Sequence, residues 1–135
     1  MSISVGTDLV HIPAFAAQLE VPGTRFARVF SAAELRVAAS KGARRAEHLA
    51  GRWALKEAFL KAWAQARYGS PPVLAEEDLD WSEIEVRPDA WGRVAVSARG
   101  EVARLMGESL GRWDVGASLS HDGEYATATV ILTVL

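Results

Sequence analysis

The sequence contains no cysteine. That excludes a disulfide framework, a thiolate nucleophile and a cysteine-ligated zinc, and it permits a reducing compartment without requiring one. Histidine is scarce as well, at three residues, too few for the His/Asp cluster expected of a two-metal phosphohydrolase. No apolar run approaches the ~20 residues that span a bilayer. The opening "MSISVGTDLVHI" has no basic region ahead of an apolar stretch and no small-residue cleavage site. A cytoplasmic location with no membrane association is therefore expected. No internal repeat, linker or low-complexity tract breaks the chain.

What is present is a foldable composition. The 135 residues are 50% hydrophobic and 24% charged, which suits one globular domain, residues 1–135, with a core that needs no metal or disulfide staple. The net charge of -2 conceals an asymmetry. From Arg25 to Arg67 there are ten basic residues against three acidic ones, giving +7, while the remainder has five basic and fourteen acidic residues, giving -9. A basic segment of this kind attracts a polyanion: a phosphorylated small molecule, an acidic protein or a nucleic acid. The last is the least favoured, because the segment lacks aromatic interleaving of a recognised kind and the rest of the chain is acidic. The competing reading is a solvated helix face.

Local patterns give the elements. "SISVGTDLVHI" alternates and is rich in β-branched residues, predicting a first strand with Asp8 at or just past its end. Residues 13–28 read as a short helix, a "VPGT" turn and a second short helix. In "FSAAEL", Ser31 and Glu34 form a capping-box pattern that starts a helix at Ala32. The longest periodic segment runs from about Arg44 to Ala66 and ends at "YGSPPV". "SEIEVRP" and "GRVAVSA" flank "DAWG" as a hairpin, "EVARLMGESL" reads as a short helix, and "WDVGASLS" and "EYATATVILTVL" read as two strands joined by "HDG". The sum is an α+β domain with antiparallel pairing.

Within the long helix, "RWALKEAFLKAW" places charge among apolar residues. At ~100° per residue, Arg45, Arg52, Lys56 and Trp63 fall within ~40° of each other, and Trp53, Glu57 and Lys61 form an adjacent stripe. Two readings stay open. Glu57 and Lys61 can form an i,i+4 ion pair while Lys56 snorkels to solvent, or the stripes present cations and one carboxylate to a cleft. Asp8 is either a strand-end catalytic or metal-binding carboxylate or a turn former. His121, in "SLSHDGEYA", is either functional or an exposed hairpin histidine.

Taken together, "VGTDLVHI", "FSAAEL", "RWALKEAFLKA" and "SLSHDGEYA" resemble, in order and across nearly the whole chain, the holo-acyl-carrier-protein synthase type of 4'-phosphopantetheinyl transferase. They are similar to that family's Gly-x-Asp-x-x-x-Ile opening, its Trp/Phe-x-x-Lys-Glu-Ala-x-x-Lys helix and its Ser-His strand and turn. Two departures are visible: His11 stands where many members have Glu, and "WGRVAV" lacks the proline often found after the Gly-basic pair.

The resemblance implies the 4'-phosphopantetheinyl transferase fold, an antiparallel sheet packed on a long central helix, in its short trimeric type. It implies transfer of 4'-phosphopantetheine from coenzyme A to a serine of apo acyl carrier protein in fatty-acid biosynthesis, releasing adenosine 3',5'-bisphosphate. Catalysis of such phosphoryl transfer is chiefly positioning and charge neutralisation. By the same resemblance, Asp8 and Glu57 hold Mg²⁺, Lys61 reaches the pyrophosphate, His121 contacts a coenzyme A phosphate, and Arg45, Arg52 and Lys56 serve the 3'-phosphate or adenosine side. The base for the serine proton is a metal-bound water or Glu57 acting through water. Arg25, Arg28 and the helix after Ile12 form the surface for the acidic carrier. The alternative is a non-catalytic module that binds coenzyme A and the carrier, against which the presence of both carboxylates argues.

Overall fold

In the computed structural model, which describes Met1–Leu135, the order of elements is β1 (Ser2–His11), α1 (Ile12–Leu19), α2 (Ala32–Ala39), α3 (Arg45–Ala66), β2 (Ile84–Pro88), β3 (Val94–Ala98), α4 (Gly100–Leu110), β4 (Trp113–Asp122) and β5 (Tyr125–Val134). Single 3₁₀ turns lie at Arg25–Ala27, Gly42–Arg44, Glu76–Asp78 and Trp81–Glu83. β1, β5 and β4 form an antiparallel sheet in that order, and β2 and β3 form a separate hairpin. The expected α+β architecture, an antiparallel sheet against a long helix, is what the chain adopts. No helix is long and apolar enough to cross a membrane.

Side-chain size sets how closely α3 meets the sheet. Ala50, Ala54, Ala58 and Ala62 recur once per turn and are all fully buried, a row of small residues that lets backbone approach backbone. The facing residue of β1 is Gly6, where an added Cβ would collide with the Ala58 carbonyl oxygen and lie 2.6 Å from the Ala62 nitrogen. Ser4 Oγ, two residues earlier on the same face, donates to the Ala62 carbonyl at 2.9 Å. β5 contributes Ala126, Ala128, Val130 and Leu132 to the same buried layer. Around the other side of α3, Phe15, Phe26, Trp53 and Trp81 stack edge to face in series, with ring centroids 4.9, 5.2 and 4.7 Å apart, joining α1 and two 3₁₀ turns to the helix.

The capping box forms as the sequence predicts: Ser31 Oγ accepts from the Glu34 N–H and Glu34 accepts from the Ser31 N–H. Glu34 is also buried beyond this role, accepting from Val86 N at 2.8 Å and pairing with Lys56 Nζ at 2.8 Å.

Three expectations change. The second part of residues 13–28 is one 3₁₀ turn rather than a helix, since three residues give too little length for a stable α-helix. Asp8 lies inside β1, opposite Ala128 of β5, not at the strand's end. His121 belongs to β4, opposite Ala126, because Asp122 still pairs with Tyr125 and the hairpin turns on Gly123 and Glu124 alone. The outer face of the sheet carries no other element: Ile3 and Leu9 are each 65% exposed, and Val5 and Ile131 are exposed beside them.

Candidate active site

Asp8, Glu57 and Lys61 come together although 48 residues of chain separate the first two. Strand alternation turns Asp8 to the same face as Gly6, and the Gly6 contact holds that face against α3 one turn from Glu57. Lys61 Nζ sits 2.9 Å from Asp8 Oδ1 and donates to the Thr7 carbonyl at 3.1 Å. The i,i+4 pair with Glu57 that helix spacing allows is replaced by this cross-element pair. Thr127 Oγ1 donates to the Asp8 carbonyl at 3.0 Å, fixing the strand there.

Asp8 Oδ2 is buried and has no hydrogen-bond partner. Glu57 faces it, and its pKa is pushed up to about 8, first by burial and then by the neighbouring Asp8 carboxylate, with Lys61 and Arg25 opposing. Two carboxylates in one half-buried recess require a shared proton or a cation between them. No group of three His, Cys, Asp or Glu side chains is present that could hold a metal by itself. A hard ion that takes one or two carboxylates and fills its remaining positions with water and phosphate oxygens, as Mg²⁺ does, fits this donor set.

A second feature is a cavity of about 540 Å³ bounded by α3, the β2–β3 hairpin and β4, lined by Lys41, Arg44, His48, Arg52, Arg93 and His121, with Glu47 as its one acid. Arg52 is only 7% exposed and its guanidinium has no carboxylate within ion-pair distance. Burial lowers its proton affinity and the charge of Glu34 opposes that, yet a guanidinium stays charged at any working pH. A buried, unpaired cation facing a cavity is poised for an anionic ligand. His48 is held neutral, its pKa lowered to about 4 by burial and by the charges of Arg52, Lys41 and His121. His121 Nδ1 lies 3.4 Å from Glu47 Oε1.

Sequence reasoning placed Arg45 and Lys56 with this group, and the structure separates them from it. Arg45 is exposed and does not line the cavity; its neighbour Arg44 does, because the 3₁₀ turn at Gly42–Arg44 takes that residue off the helical phase. Lys56 is 0% exposed: its ammonium pairs with Glu34 and donates to the carbonyls of Trp81, at 3.0 Å, and Ile84. All three of its donors are engaged, so no phosphate can be met in this arrangement. Lys41, His48 and Arg93 were missed. Arg93 alone carried a signal, the Gly-basic pair at the hairpin tip.

Arg25 stands closer to the carboxylates than a remote docking surface would. Its guanidinium lies 5.0 Å from the Phe26 ring and 5.2 Å from the Trp53 ring, and Trp53 is one turn before Glu57. His11 caps α1 through Nδ1 and meets Glu124 through Nε2 at 3.2 Å.

The sequence model of the 4'-phosphopantetheinyl transferase superfamily matches residues 4–130. The chain belongs to that superfamily. A holo-[acyl-carrier-protein] synthase of Corynebacterium glutamicum (strain R) is 59% identical over 133 residues, covering 98% of each chain. One from Mycobacterium ulcerans is 45% identical over 130 residues, 96% of this chain and 95% of the other. Among solved structures, the Chronobacterium ammoniagenes ACPS-CoA complex superposes with a TM-score of 0.97 at 53% identity, over 100% of this chain and 99% of that one. In this transferase superfamily member, then, the carboxylate pair and the basic cavity lie at the two ends of the first four turns of α3.

Proposed function

We infer that this chain is a holo-acyl-carrier-protein synthase that moves 4'-phosphopantetheine from coenzyme A to a serine of an apo acyl carrier protein. The observation that carries the reading is the juxtaposition of an incomplete oxygen-donor site, Asp8 with Glu57 and Lys61, and a cavity rich in unpaired cations. The donor molecule needs both: a pyrophosphate at the reacting end and a phosphorylated adenosine at the other. High identity to holo-[acyl-carrier-protein] synthases over almost the whole chain supports the same reaction.

The chemistry follows from charge. The serine hydroxyl gives its proton to water and its oxygen attacks the phosphorus that bears pantetheine, the bond from that phosphorus to the bridging oxygen breaks, and adenosine 3',5'-bisphosphate leaves with the added charge. Asp8 and Glu57 are the residues that would hold Mg²⁺, which when bound neutralises the pyrophosphate and the developing charge. Lys61, 57% exposed at its side chain and anchored by Asp8 and Thr7, points an ammonium to the same place. Arg52, Arg44 and Lys41 attract the phosphates of the adenosine end, and the His121 ring lines the same cavity. Arg25 and Arg28 face the incoming carrier, whose acidic class complements the basic segment.

The reading extends to setting and assembly. Residues 1–135 act as one domain in the cytoplasm, serving the carrier of fatty-acid biosynthesis. The uncovered sheet face around Ile3, Val5, Leu9 and Ile131 supports burial against further copies in a homotrimer. Sedimentation at increasing concentration tests the last point, and a monomer throughout would overturn it.

For the reaction itself, the protein is incubated with apo acyl carrier protein, coenzyme A and Mg²⁺, and the carrier is weighed by mass spectrometry. The phosphopantetheine increment is expected, and only with the divalent ion. Coenzyme A binding without any increment on several carriers would leave a binding module in its place.

A further inference from the structure

Glu47 is out of place. Its carboxylate lines a cavity otherwise furnished with Lys41, Arg44, His48, Arg52, Arg93 and His121, and a negative charge in a recess built for an anion repels the ligand unless it has another task. One contact supplies that task. Glu47 Oε1 lies 3.4 Å from His121 Nδ1, with both side chains only about a third exposed. The opposite edge of the ring is backed by α3 itself: one turn beyond Glu47, Gly51 presents bare backbone, and a Cβ there would stand 3.4 Å from His121 Nε2 and 3.3 Å from Leu119 Cδ1. β4 supplies the histidine, while two successive turns of α3 supply a carboxylate for one nitrogen and a gap for the other.

We propose that Glu47 is the positioning residue of His121, accepting its Nδ1 proton and so fixing the ring plane and tautomer against the cavity that takes the adenosine end of coenzyme A. The proposal rests on the site reading above. A carboxylate on one imidazole nitrogen dictates which nitrogen carries the proton and leaves the ring one orientation. The plainer role for Glu47, as an acid in the first turn of α3, gives the helix N-terminus a favourable charge but has no effect on coenzyme A.

The two roles separate experimentally. Transfer kinetics are measured for the full chain and for Glu47→Ala, Glu47→Gln, His121→Ala and the double variant Glu47→Ala/His121→Ala, each checked for folding by circular dichroism. Glu47→Ala is expected to raise KM for coenzyme A about tenfold, the size of a lost charge-assisted hydrogen bond, with KM for the carrier unchanged. Glu47→Gln, which keeps an acceptor, recovers most of that loss. In the His121→Ala background, Glu47→Ala adds nothing. Nitrogen-15 shifts of His121 show a protonated Nδ1 in the wild type and in Glu47→Gln, and a mixture of tautomers in Glu47→Ala. A KM for coenzyme A that falls in Glu47→Ala, as simple removal of a repelling charge would produce, overturns the proposal. So does a tenfold rise that persists without His121. If His121→Ala alone leaves KM for coenzyme A unchanged, the placement of coenzyme A against His121 is what fails, and the tautomer spectra still report on Glu47.

Discussion

Lys56 and Lys61 occupy the same helix five residues apart, each pairs with a carboxylate at 2.8 or 2.9 Å, and they do opposite work. Around Lys56 every polar group is answered: Glu34 takes the charge, two carbonyls take the remaining protons, and Val86 N and Ser31 N complete Glu34. Burial pushes the Lys56 ammonium below the usual lysine range while Glu34 opposes it, which is a closed arrangement with no place for a ligand. Around Lys61 the accounts of donor and acceptor stay open. Asp8 Oδ2 has no partner, the Glu57 carboxyl is pushed above the usual carboxylate range, and the Lys61 side chain is largely exposed. Completeness, rather than charge or burial, separates the ion pair that builds the fold from the one that builds the site.

The largest test of that contrast is on activity. Asp8→Ala or Glu57→Ala should reduce transfer by about 100- to 1000-fold, the usual cost of removing one preorganised electrostatic group, with urea unfolding unchanged or shifted towards greater stability. A clear loss of stability would place both carboxylates with the structural set. Next comes Lys56→Ala, which strands Glu34 in the core and should cost about 3–5 kcal/mol of unfolding free energy, leaving KM for coenzyme A unaltered in the protein that still folds. Weakened coenzyme A use at full stability would instead return Lys56 to the phosphate site.

A smaller effect separates two titrations of opposite sign. Glu57, raised from 4.5 to about 8, favours the fold below its unfolded pKa, and that stability is lost as pH rises towards 8. His48, lowered from 6.5 to about 4, favours the fold above its unfolded pKa, and that stability is lost as pH falls towards 4. Between 6.5 and 8 only Glu57 of the two still changes. Unfolding of the metal-free protein should therefore become easier across that window, the slope should vanish in Glu57→Gln, and Mg²⁺ affinity by calorimetry should rise with pH as the competing proton leaves. A wild-type curve that climbs there would contradict the raised carboxyl. Smallest of all, Arg25→Ala should lose the cation–π contacts, about 0.5–1 kcal/mol in thermal unfolding, and raise KM for the carrier a few-fold. Because Arg25 also opposes the proton on Glu57, kcat should fall with it, and an unchanged kcat would confine Arg25 to docking.

The elements that could be read in the sequence are those whose signals are local. The Ser31–Glu34 capping box, the long helix and both hairpins depend on residues within a few positions of each other, and they appear within one or two residues of where they were predicted. Convergence of Asp8 with Glu57 has no local signature; it was legible only through the ordered motifs of a known family. Burial misled most. Lys56 and Arg52 share a helical stripe in projection and both are buried, but Glu34 arrives from another element to pair with one and no carboxylate pairs with the other. Arg44 escaped because a 100° phase cannot be extended through a 3₁₀ turn, and His48 because its neutrality depends first on tertiary burial.

Gly6 carries no charge, yet it sets the spacing between Asp8 and Glu57. Since backbone meets backbone at Ala58 and Ala62, the gap between the strand bearing Asp8 and the helix bearing Glu57 is fixed by an absent methyl group rather than by adjustable side chains. A single added carbon at that position would leave every ionisable residue in the sequence and still wedge the two carboxylates apart, so that an inactive protein could keep an unaltered inventory of catalytic residues.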